Sequence, residues 1–143
     1  MATGQPVLPR ADRIRYDEVA ADLRQHYEAT GSRDLEEADY RLEHLKAFFS
    51  GRRAVAIGQA EATAYVIKRQ GEQASGATIN REFAVLIRML RLAYENGKLL
   101  RLPVVRKLKE AAPCSGFFER EQYEAVRRHL PADLQVAVAI AYT

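Results

Sequence analysis

Arg81, Arg88 and Arg91 recur at a spacing that places them on one side of an α-helix. Guanidinium groups keep their charge at any physiological pH and present a fork of donors that suits phosphate oxygens or the outer edge of guanine. Thr78 and Asn80 stand just ahead of them, short polar side chains at a helix start, where free backbone N–H groups gather. Asn is also the natural partner of adenine in the major groove. Lys68, Arg69, Lys98, Arg101, Arg106 and Lys107 surround this segment in sequence and suit phosphate contacts, whose affinity falls with salt. The chemistry of this set is that of holding a polyanion, double-stranded DNA above all.

Residue types that break bonds are not arranged to do so. Cys114 is the single cysteine, so no internal disulfide can form; it has no neighbouring His or helix start to activate it, and it fits a reducing cytoplasm. His26, His44 and His129 lie far apart with no paired Cys or His beside them, which argues against a metal site; His44 reads as a surface histidine. The seven tyrosines read as core or surface residues. There is no Gly-rich phosphate loop and no internal repeat. The expectation is no catalytic residue, no cofactor, no metal and no small-molecule substrate.

The element that must carry the arginines runs from Ser75 to Pro103. At about 100° per residue, Ile79, Phe83, Leu86, Leu90 and Ala93 share one face, while Arg81, Ala84, Arg88, Arg91 and Glu95 share the other. Ser75 and Thr78 are available as N-caps, and Gly97 as the left-handed terminator. Upstream, Tyr16, Val19, Leu23 and Tyr27 form the stripe of a helix over Asp17 to Glu28. Asp34, with Glu37 three residues on, predicts a capped second helix to about Ser50 whose core positions are Leu35, Ala38, Leu42, Leu45 and Phe49. A third helix is expected from Gln59 to Glu72, anchored by Ile57, Ala60, Ala64 and Ile67. The proline-bearing basic stretch after Gly97 reads as linker. A helix over Glu119 to His129, with Tyr123 and Val126 inward, precedes a last one after Pro131 carrying Leu134, Val136, Val138 and Ile140.

Composition agrees with an all-α globular chain: 143 residues, 48% apolar and 29% charged. The net charge of +3 is unevenly placed. Residues 41–109 hold fourteen Lys and Arg against five Asp and Glu, net +9, whereas residues 1–40 carry −4 and residues 110–143 carry −2. A field of that sign over the middle of the chain suits a polyanion. No apolar run approaches the roughly 20 residues of a membrane span, and the first nine residues lack the basic start and apolar block of an export signal.

The order of these helices, with Ala-Thr-Ile-Asn-Arg-Glu-Phe at 77–83, Leu-Ala-Tyr-Glu-Asn-Gly-Lys at 92–98 and Gly-Phe-Phe-Glu-Arg-Glu-Gln at 116–122, resembles the tyrosine recombinases of the phage-integrase family over nearly the whole chain. Thr78, Asn80 and Arg81 sit on that family's Thr-x-Asn-Arg segment. The resemblance implies a flexible arm over 1–15, a four-helix core-binding (SAM-like) domain over 16–103, a linker over 104–117 and the truncated start of a catalytic domain over 118–143. Its first catalytic arginine is expected just beyond Thr143. Ala29, Ala47 and Ala132 stand three residues after the histidines, so none supplies a His-x-x-Arg box. The implied role is DNA binding within a protein that integrates and recombines DNA, without catalysis by this chain itself. The implied partners are double-stranded DNA and other recombinase protomers, with no membrane, in a prokaryotic or phage-derived cytoplasm at the nucleoid. A non-catalytic helical protein-interaction module, or a decayed integrase that competes for DNA sites, is the alternative.

Overall fold

In a computed structural model the protein is described over residues 11–110 and 119–142. Residues 1–10, Cys114, the rest of 111–118 including Phe117, and Thr143 lie outside the described residues. Within them the fold is all-helical: α1 Tyr16–Thr30, α2 Leu35–Phe49, α3 Gln59–Gly71, α4 Gly76–Glu95, α5 Arg120–Arg128 and α6 Ala132–Tyr142. No strand occurs among the described residues, only an isolated antiparallel bridge between Arg15 and Arg53. The chain divides into two compact units, the first ending at Glu110 and the second beginning at Ala111.

α4 is the axis of the first unit, and α1, α2 and α3 all pack on it. Its face of Ile79, Phe83, Leu86, Met89, Leu90 and Ala93 is fully or almost fully buried. Tyr16, Val19, Leu23 and Tyr27 of α1 meet it, as do Ala38, Leu42, Leu45 and Phe49 of α2. Aromatic rings join the layers: Phe49 stacks on Tyr16 at 6.0 Å, and Tyr65 of α3 lies 5.4 Å from Phe49 and 5.8 Å from Phe83. Ring pairs at such distances add roughly 0.5–1.5 kcal/mol each beyond their area burial.

The helix ends are closed by backbone geometry. Ser75 Oγ accepts the Thr78 N–H at 3.2 Å, and Gly97 (φ 73°) ends α4 as the Lys98 N–H reaches the Ala93 carbonyl. α3 closes in the same way, but its left-handed residue is Gln73 (φ 63°), with the Ala74 N–H donating to the Arg69 carbonyl. The expected side-chain cap at Asp34 is absent. Asp34 contributes its carbonyl to the Ala38 N–H, while its own N–H donates to Ser32 Oγ.

α3 turns a different face inward from the one expected. Ala62, Tyr65 and Arg69 are buried, whereas Ala60 and Ala64 are exposed and Ile67 is 67% exposed. Ile57, just ahead of the helix, is buried as expected. The ends of the first unit also differ from the reading as arm and linker. Ile14 is buried, and residues 14–16 pair with 52–54 through the Tyr16 N–H to the Arg52 carbonyl and the Ala54 N–H to the Ile14 carbonyl. Residues 104–110 have no helix or strand of their own but belong to this unit, with Val105 and Leu108 packed against its core.

In the second unit α5 and α6 contact each other. Val126 is exposed rather than inward, and Tyr123 is half-buried. Leu134 and Val136 of α6 are 48% and 62% exposed. No helix among the described residues is long and apolar enough to cross a membrane.

Candidate nucleic-acid interface

The outward stripe of α4 follows from the inward one. Once Ile79, Phe83, Leu86 and Leu90 are buried, helical geometry leaves Arg81, Ala84, Arg88, Arg91 and Glu95 on the solvent side, and all five are exposed. The three arginines fall within about an 80° arc, with Arg81 and Arg88 roughly 10 Å apart along the axis. Arg88 lies 5.7 Å over the ring of Tyr27, a stacking contact that orients its guanidinium. Among the described residues, none of the three guanidiniums makes a hydrogen bond or an ion pair.

Six other cations of the unit are instead paired with carboxylates. Arg24 pairs with Asp39, Arg41 with Glu37, Arg52 with Glu61 and Lys68 with Glu72. Lys98 bridges Glu18 at 3.0 Å and Asp22 at 2.6 Å; these hydrogen bonds, that to Asp22 foremost, raise its pKa above the ordinary lysine value. Lys98, predicted as a phosphate contact, therefore ties the end of α4 to α1. Lys68 lies 5.9 Å over the Phe48 ring while paired with Glu72.

Arg69 and Asn80 are corrections of a stronger kind. Arg69 is 7% exposed, and its guanidinium grips Glu82 at 2.6 and 3.1 Å and Glu72 at 2.5 Å. Glu82, only 1% exposed, also accepts the Tyr65 hydroxyl at 2.8 Å. Burial first, then this hydrogen bond, raises the Tyr65 pKa far above the usual phenol range. Asn80 is 4% exposed. Its Oδ1 accepts the Leu108 N–H at 2.7 Å, and its Nδ2 donates to the Leu108 carbonyl at 2.9 Å and to the Glu110 carboxylate at 2.7 Å. Both residues are consumed inside the protein because their charge or amide satisfies other buried polar groups. Thr78 is half-buried, and its hydroxyl lies 2.9 Å from that of Ser75.

Two flanks border the arginine stripe. On the α2 side Arg81 shares a groove with Glu37, Tyr40, Arg41 and Thr78, and Arg88 shares one with Tyr27, Asp34, Glu37 and Arg41. On the Asn80 side lies the segment 104–110, with Arg106, Lys107 and Lys109 all exposed. Arg101 is exposed as well. Lys109 is absent from the contacts expected from the sequence, where this segment reads as linker; the signal for its packing is Val105 and Leu108, two apolar residues three apart in a basic stretch. Among the described residues no cluster of His, Cys, Asp and Glu could hold a metal ion.

Comparison of the chain with protein-family models, curated proteins and solved structures yields no match.

Proposed function

We propose that the first unit binds double-stranded DNA through the exposed stripe of α4, with Arg81, Arg88 and Arg91 as its centre and Arg101, Arg106, Lys107 and Lys109 as further phosphate contacts. The observation that carries this reading is electrostatic: six neighbouring cations are neutralised by carboxylates, while the three arginines of α4 stand exposed without one. An unneutralised row of guanidiniums on a rigid helix is costly in self-repulsion and suits a polyanionic partner. The sequence resemblance supports the same reading, that of a SAM-like core-binding domain of a tyrosine recombinase whose task is to hold DNA. Asn80 and Arg69 have no part in DNA contact.

Fluorescence anisotropy of a labelled duplex against salt tests the reading. Each phosphate contact contributes about 0.9 to the slope of log affinity against log salt, so replacing all three arginines by alanine lowers the slope by between about 2 and 3. No binding at low salt, or a slope indifferent to the three replacements, overturns it.

A protein-interaction role is favoured by one different observation, the exposure of Leu134 and Val136 on α6. Under that reading Leu134→Glu with Val136→Glu abolishes self-association measured by light scattering, and leaves DNA affinity unchanged.

A further inference from the structure

The Asn80 side chain treats the backbone of Leu108 as a neighbouring strand would, accepting its N–H at 2.7 Å and donating to its carbonyl at 2.9 Å. Two residues earlier the Arg106 N–H donates to Gln59 Oε1 at 2.8 Å, at the first residue of α3. Between them the side chains alternate in their duties. Val105 and Leu108 are partly buried against the core, and Leu108 Cδ1 lies about 4 Å from the position a Cβ on Gly76 would take. Arg106, Lys107 and Lys109 face solvent. A segment with no secondary structure of its own is thus held at three backbone hydrogen bonds and two apolar anchors, with three cations outward.

Helical geometry puts the strap's anchor, Asn80, at the Arg81 end of the arginine stripe. Asn80 lies about 100° from Arg81 around α4 and about 20° from the direction of Arg91. The acidic groups of the opposite flank, Glu37 and Asp34, line grooves on the α2 side. On the strap side Glu110 accepts a hydrogen bond from Asn80, and Glu95 stands exposed on the stripe itself.

We infer that Asn80 and Gln59 form a latch that docks residues 104–110 on the first unit and so adds Arg106, Lys107 and Lys109 to the surface offered to the DNA phosphate backbone. Asn80 is in this sense a positioning residue that touches no DNA. The inference rests on the DNA-binding reading for its second half only; the latch itself is a property of the free protein. An undocked strap would carry the same charges on a mobile tether and would lose conformational entropy on each encounter with DNA. The docked strap has already been ordered when the protein folds.

Hydrogen exchange on the whole chain without DNA tests the latch. The Arg106 and Leu108 amides are expected to exchange at least about tenfold more slowly than unstructured ones. Asn80→Ala removes the protection at Leu108 and speeds tryptic cleavage after Arg106, Lys107 and Lys109. Gln59→Ala, an exposed site, removes it at Arg106 with no change in the thermal midpoint, and serves where Asn80→Ala does not fold. Amides that exchange freely in the unaltered protein, or that keep their protection in both variants, overturn the latch. The DNA arm then compares salt slopes. A folded Asn80→Ala protein whose slope is shallower by up to about 2.7, the loss of three phosphate contacts, supports the strap's part in binding. An unchanged slope with protection lost overturns that part. Expected exchange behaviour with no duplex binding by any form places the failure in the DNA reading and upholds the latch.

Discussion

Glu82 is a carboxylate in the core of a small helical unit, and its environment explains why it is tolerated: Arg69 supplies two charged hydrogen bonds and Tyr65 a third. A buried pair of this kind adds little net stability, but removing one partner strands the other charge. Arg69→Met is therefore expected to cost about 3–5 kcal/mol in urea denaturation. Adding Glu82→Gln to that variant recovers part of the loss, because the neutral amide still accepts the Tyr65 hydroxyl; a further loss would show that the charge on Glu82 is not the cause. Asp17 illustrates the exposed counterpart. Its carboxylate accepts the Gly51 N–H and the Ser50 hydroxyl, each at 2.7 Å, and these bonds hold its pKa below the ordinary value. A lowered carboxylate pKa contributes stability that is present above the unfolded value of about 4 and is lost as pH falls through the folded one. The difference in melting temperature between the unaltered protein and Asp17→Asn should accordingly be larger at neutral pH than in strong acid, and an acid-independent difference counts against this account.

Among the elements, α4 and α3 show how far periodicity can be trusted. α4 has an unbroken apolar stripe, a serine that caps it and a glycine that ends it, and each signal is realised. Ser75→Ala should cost about 1 kcal/mol of stability, the usual value of a lost N-cap. In α3 the alanines at 60, 62 and 64 and the run Tyr65-Val66-Ile67 permit more than one apolar stripe. The phase is decided by Tyr65, whose ring fills the space between Phe49 and Phe83 and whose hydroxyl meets Glu82. Ile67→Lys is thus expected to change the unfolding free energy by no more than about 0.5 kcal/mol, as at other exposed sites. Tyr65→Ala should cost about 3–5 kcal/mol, the range for large aromatic truncations. Equal effects of the two would reverse the assignment of the buried face.

At the scale of the whole molecule, the first unit is expected to unfold cooperatively without the second, because its buried core runs from Ile14 to Leu99 and its packed strap ends before Ala111. A chain ended after Glu110 should melt at the temperature at which the first unit melts within the whole chain, whereas one ended after Pro103 should melt lower, having lost Val105, Leu108 and the Asn80 pairing. Equal midpoints for the two shorter chains would count against the strap as part of the unit. The sequence by itself determined the all-α class, the extents of α1, α2 and α4 within a few residues, their core stripes, and the exposed arginines. Those properties depend on local periodicity and on caps a few residues apart, so neighbouring letters suffice to specify them. Tertiary structure alone decided that Asn80 and Arg69 face inward, that Lys98 is spent on α1, and that 104–110 packs on the helices. Each of those outcomes depends on partners between 13 and 80 residues away, and a polar side chain carries no mark of which distant backbone or carboxylate will satisfy it.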